Sequence, residues 1–353
     1  MGKDAAQQQR KDAAFPVQGR TNFQTRQFKV PKRHTFITIE DYRYTRIREL
    51  NVNFYKAIFT FVVACGLAWS LQTAAYADEN AGQEEMTQAL QTFYAGQWDD
   101  SIKQFEEILA KDPKNTLALA YILDAYYRKK DVDGIVSQIE TETAATGENG
   151  ESLSKLGMAY FLRGKLVPNV LDEALTEFKS AVENDPENSM AYSGMGLVYF
   201  QKRMMPRAKG FFVRALRLNP HDIMAMDRLG NILLVDEKKP SEAKDIYQRI
   251  VEELPAYPDG QYFMGSALYD MGKYEEAIPY LKRSAELDPQ GFTQGFDALT
   301  LCGDIYLKEG RFEEALAIYE TAKKVRPEST YVDYKMKLAR EKKTAPATKV
   351  NDH

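Results

Sequence analysis

Between residues 82 and 329 the chain alternates short polar turns with stretches in which apolar residues return every three or four positions, the period of an α-helix with one buried face. One phrase makes the pattern plain. Gly272 to Pro289 reads GKYEEAIPYLKRSAELDP, and Gly310 to Pro327 reads GRFEEALAIYETAKKVRP. Each opens on Gly, a basic residue, an aromatic and Glu-Glu-Ala, and each closes on Pro, which ends a helix. Reading back from other prolines recovers the same offsets, with Ala208, Phe212 and Ala215 before Pro220, and Ala174, Phe178 and Ala181 before Pro186. In five of the units an upstream stretch carries its own small residue, at Gly157, Gly196, Gly230, Gly265 and Gly303. Small residues in both helices let two backbones approach, and the aromatic after each Ala is expected to fill the gap to the next hairpin.

The spacing predicts seven two-helix units at residues 82–115, 116–149, 150–188, 189–222, 223–257, 258–295 and 296–329, together an array over 78–328. The units are not identical. The second has Ile135 and Ile139 in place of the small and aromatic pair and no closing Pro, the third needs about five extra residues around KLVPNV, and the fifth needs one near Lys238-Lys239-Pro240. These insertions are expected between helices, where longer loops cost little. Residues 329–343 read as a basic amphipathic helix that caps the last apolar face, and 344–353 as a tail.

This spelling resembles the tetratricopeptide repeat, a helix-turn-helix unit of 34 residues. The resemblance implies an all-α fold, a right-handed superhelical solenoid, whose first helices line a concave surface that binds other proteins. In this register that surface includes Asp124, Tyr127, Met158, Phe200, Asp227, Asn231, Tyr262, Tyr269, Asp270, Asp297 and Asp304. An acidic and aromatic lining favours a partner segment that is basic or apolar-aromatic. The function expected is a non-enzymatic scaffold or adaptor of a bacterial cell envelope; the alternative is a coat in which arrays stack end to end into oligomers.

Ala57 to Ala77 holds no charged residue, is preceded by Arg46, Arg48 and Lys56, and is followed by Asp78 and Glu79. As a helix it would reach about 30 Å, the thickness of a hydrocarbon core. Its flanks place residues 1–56 in the cytoplasm and the repeats in the periplasm. The same stretch also reads as an export signal cleaved after Ala77, with Ala75 and Ala77 as the small residues a signal peptidase accepts, or as a poor lipoprotein box at Cys65. Residues 1–56 form a basic tail without helical periodicity, carrying 12 Lys and Arg against 5 Asp and Glu, so the remainder of a chain of net charge -4 is acidic. An acidic body argues against a nucleic-acid partner. With two Cys and three His and no clustered spacing, no metal or cofactor is expected.

Overall fold

The computed structural model describes residues 81–344. The basic head 1–56, the segment 57–77 with Ala75 and Ala77, and the residues after Thr344 lie outside the described residues. Among the described residues every regular element is helical, and no helix is long and apolar enough to cross a membrane.

Helix α1 occupies residues 81–94. It is followed by α2 (Trp98–Lys111), α3 (Thr116–Arg128), α4 (Val132–Thr146), α5 (Gly150–Gly164), α6 (Val170–Asn184), α7 (Ser189–Gln201) and α8 (Met205–Leu218). Then come α9 (Ile223–Asn231), α10 (Pro240–Glu253), α11 (Pro258–Asp270), α12 (Tyr274–Leu287), α13 (Gly295–Lys308), α14 (Phe312–Val325) and α15 (Thr330–Thr344). Odd and even helices pair as hairpins, as in α5 with α6, α7 with α8, α11 with α12 and α13 with α14, and the odd helices also touch one another along the stack.

The repeated residues explain the pairing. A Cβ on Gly157 would lie 2.7 Å from the ring of Phe178, one on Gly196 2.5 Å from Phe212, one on Gly230 2.8 Å from Tyr247, and one on Gly303 2.5 Å from Tyr319. Each glycine therefore makes room for the large side chain of its own hairpin, a role for the ring in addition to the expected one in the gap to the next unit. Phe178 does both, since a Cβ on Gly194 in the following hairpin would stand 2.1 Å from the same ring. Ala174, Ala208, Ala243, Ala277 and Ala315 are all fully buried where helices meet.

The ends of the helices are built from local chemistry. Gly96, Gly272 and Gly310 take positive φ at the turn between first and second helix, where a left-handed residue stops the helix, and Lys130, Arg203 and Lys238 take the same conformation without a glycine's freedom. Two residues after the closing prolines, Asn115, Asn188 and Asp222 cap α3, α7 and α9 by accepting the backbone N–H of Ala118, Ala191 and Ala225 at 2.9–3.0 Å.

Two units depart from the expected layout. The extra residue of the fifth is not in the loop at Lys238-Lys239-Pro240; α9 absorbs it by widening into a π turn over Ile232–Asp236. In the second unit Ile135, Val136 and Ile139 bury the inner face of α4, which ends at Gly147 with φ of 86° in place of a proline stop. At the far end α15 lays Val332, Met336 and Ala339 on the last hairpin.

Candidate functional site

The odd helices curve until α3 touches α9, so the inner face of the first repeats meets the chain itself. Asp222 marks the junction. Besides capping α9, its carboxylate accepts the hydroxyls of Ser193 at 2.5 Å and Thr116 at 3.4 Å, joining the second, fourth and fifth units.

A second closure comes from the connection between α12 and α13. Four residues longer than a 34-residue repeat requires, the sixth unit spends its surplus there. Asp288, 1% exposed, holds this strap in shape by accepting the backbone N–H groups of Phe292 (2.8 Å), Thr293 (2.8 Å) and Gly295 (3.0 Å) and the Thr293 hydroxyl (3.2 Å). The strap lies on the first hairpins. The ring of Phe292 packs 5.2 Å from that of Trp98, the Thr293 hydroxyl is 3.3 Å from that of Tyr94, and Arg128 donates to the Phe292 carbonyl at 3.3 Å. The Arg128 guanidinium also sits 5.4, 5.5 and 4.9 Å from the ring centres of Phe93, Trp98 and Phe292, with Asp124 accepting from its Nε at 2.9 Å.

Behind the strap is a cavity of about 190 Å³. Three cations, Arg128, Lys165 and Arg228, line it with the carboxylates of Asp124 and Asp259. Arg228 has its neighbour Asp227 3.7 Å away, and the Asp227 carboxylate is fully buried without a hydrogen bond. Burial pushes the Asp227 carboxyl up, and the Arg228 charge pulls it back. Burial and then the Asp227 charge raise the Asp259 carboxyl to about 7.

The sign of that last shift gives a test. Between about pH 4 and pH 7 the folded chain holds a proton on Asp259 that the unfolded chain has released, so this group makes stability fall as pH rises through the window. Asp259→Asn, which fixes the neutral state, should melt higher than the parent at pH 8 and near the parent at pH 4; an equal gain at both would show that the carboxyl does not titrate there.

The eleven inner-face residues do not form one surface. Asp124 is committed to Arg128, Met158 is in the cavity wall and 2% exposed, and Asp227 is 0% exposed, so on α9 the lining is Met224 and Arg228 and not Asp227. Asp304 accepts from the hydroxyls of Tyr319 and Tyr331 and pairs with Lys335 at 2.9 Å, binding α15 to α13. Tyr127 is 40% exposed. Phe200 is half-buried with Arg228 5.9 Å from its ring centre, and Asn231 is half-buried beyond it. Tyr262, Tyr269 and Asp297 are half-buried and Asp270 is exposed. These last four come from the adjoining helices α11 and α13; burial raises the Tyr262 phenol to about 12, helped by the charges of Asp297 and Asp270. Lys165 and Arg228 were absent from the sequence-derived lining, and only a closed superhelix brings them there.

Other candidate chemistry is accounted for by packing. His221 is exposed beside Glu253, 3.2 Å away, and Cys302 is buried, its thiol raised to about 11 by burial. No group of three or more metal-ligating side chains occurs among the described residues.

Residues 86–134, and the overlapping stretches 234–294 and 268–340, match family models described as tetratricopeptide repeat. The chain carries tetratricopeptide repeats. Superkiller protein 3 of Schizosaccharomyces pombe is 22% identical over 251 residues, which is 67% of this chain and 18% of that protein. Protein O-mannosyl-transferase Tmtc3 of Drosophila melanogaster is 26% identical over 152 residues, 43% of this chain and 16% of that protein. The chain spans less than a fifth of the length of either relative. A crystal structure of YrrB, described as a tetratricopeptide repeat protein with an unusual peptide-binding site, is similar at 26% identity, covering 59% of this chain and 98% of that one with a TM-score of 0.44. Tetratricopeptide domains bind other proteins, and the array described above is of that kind.

Proposed function

We propose that this chain is a non-enzymatic scaffold that binds partner proteins through the part of its inner face that its own strap leaves uncovered. The observation that carries the reading is the acidic and aromatic stripe of Tyr262, Tyr269, Asp270 and Asp297, on consecutive inner helices α11 and α13. Its complement is a basic or apolar-aromatic protein segment. The charge-free stretch 57–77, with basic residues before it and acidic residues after, supports a cell-envelope location in which the repeats stand in the periplasm, anchored by that stretch or released after Ala77, and assist assembly of an envelope complex. The coat reading has less support, because α15 covers the end of the array.

Photo-crosslinking from positions 262 and 269 in native membranes tests the partner. Capture of a defined protein, reduced about fivefold or more by Asp270→Lys and Asp297→Lys, is the expected result. Capture that ignores both charge reversals would remove the stripe from the account.

A further inference from the structure

Ion pairs run along one edge of the array, each joining the turn between first and second helix in one unit to the same turn in its neighbour. They are Lys129 with Asp99 (2.5 Å), Arg163 with Asp133 (3.1 Å), Lys202 with Asp172, and Lys209 with Glu237 (2.6 Å). The turns of the first five units therefore stand side by side, and these four acids are spent within the edge. What the pairs leave over is mainly cationic. Lys130, Lys165, Arg203 and Lys238, one in each turn from the second unit to the fifth, are exposed and form no ion pair among the described residues, against two exposed carboxylates in those turns, Asp131 and Asp236.

Three of these cations are held in a conformation that suits glycine. Lys130, Arg203 and Lys238 have φ of 61°, 59° and 56°, where the first, sixth and seventh units place Gly96, Gly272 and Gly310. Glycine would make the same turn with less strain, so what the position gains from lysine or arginine is the side chain. The apolar residues divide between units in the same way. Of seven large apolar side chains exposed among the described residues, five stand at these four turns: Tyr127, Leu166, Val167, Met204 and Val235. None stands at the turns of the other three units, where Lys273 and Arg311 are paired with glutamates.

Single apolar residues beside unpaired cations, repeated from turn to turn, form a strip and not a groove that a peptide could enter. An anionic surface with an apolar interior fits both features, since charge draws the strip in and burial of the apolar side chains holds it. We propose that the edge made by the turns of the second to fifth units lies on an anionic lipid bilayer, with Lys130, Lys165, Arg203 and Lys238 at the phosphates. Leu166, Val167, Met204 and Val235 then dip below them into the acyl region.

Fluorescence quenching in the full chain tests this. In a Cys65→Ser background, with Cys302 buried, a fluorophore is attached at Leu166→Cys, at Met204→Cys or, in the connection between α6 and α7 at the opposite edge, at Glu187→Cys. Each protein meets vesicles of phosphatidylcholine, alone or mixed with an equal part of phosphatidylglycerol, containing a lipid spin-labelled at the top of its acyl chain. Quenching is expected at 166 and 204 with phosphatidylglycerol, and neither there with phosphatidylcholine alone nor at 187 with either lipid. Lys130→Gly, Arg203→Gly and Lys238→Gly combined keep the backbone conformation and remove three charges, so quenching at 166 should fall at least about fivefold with the helical circular dichroism retained. Equal quenching in the two lipids, quenching at 187 as strong as at 166, a triple variant that behaves as the parent, or no quenching at all would each overturn the proposal; the last is the result expected if the edge meets an acidic protein instead. None of these readouts depends on capture of a protein at Tyr262 or Tyr269, and the comparison of 166 with 187 in one chain separates the edge from any attachment through residues 57–77.

Discussion

Phe178→Ala should destabilise the array by about 3–5 kcal/mol, the range for emptying a fully buried phenylalanine site. The ring is 0% exposed and fills a slot cut for it from both sides, by Gly157 in its own hairpin and Gly194 in the next. Removal leaves a cavity that neither glycine can close, since neither carries a side chain to move inward. It also weakens the contact between the third and fourth units, on which a stacked array depends. Phe178→Leu should cost less than half as much, because Leu281 occupies the corresponding place in the sixth unit, where a Cβ on Gly265 would lie 2.7 Å from it. Urea unfolding followed by circular dichroism measures both. Equal losses for Ala and Leu would mean that the ring's volume is not what holds the two hairpins together.

The second large effect is expected at Asp288. Asp288→Ala leaves the N–H groups of Phe292, Thr293 and Gly295 without their acceptor, and unpaired buried donors cost about 1–3 kcal/mol each, so a total near 3 kcal/mol is expected even with partial access of water. The strap should also leave the first hairpins. Trp98, whose ring faces Phe292, reports this: in a Trp69→Phe background it is the sole tryptophan, and its emission should move to longer wavelength as the strap lifts. A stability loss with unchanged Trp98 emission would separate the role of Asp288 in the loop from any role in closure. Asp288→Asn, which keeps an acceptor oxygen, should fall between the two.

The repeat and most of its core were legible in the sequence, because each element is specified within one unit: a glycine opposite an aromatic, an alanine in the seam, a proline at the end. The second unit was the least legible, because Ile135 and Ile139 bury by bulk the face that the other units mark with a small residue and an aromatic. What the sequence withheld was distance across the array. The surplus around Gln290-Gly291-Phe292 reads as slack in a loop, and nothing in its spelling says that Phe292 lands on Trp98. The same gap displaced the inner lining on α9. Asp227 and Arg228 are neighbours, and which of them faces inward depends on how tightly the superhelix closes, a property of summed small rotations between units. Asp304 was misplaced for another reason: α15 supplies Tyr331 and Lys335 to it, and a capping helix is anticipated in general but not in its particular contacts.

The strap has a consequence for how the chain is made. The contact between Tyr94 and Thr293 spans 199 positions, so a ribosome must deliver most of the array before the first two hairpins can be covered. Until then Trp98, Arg128 and the wall of the cavity stand open to water, and the nascent N-terminal repeats present the adhesive surface that synthesis in the forward direction leaves waiting longest.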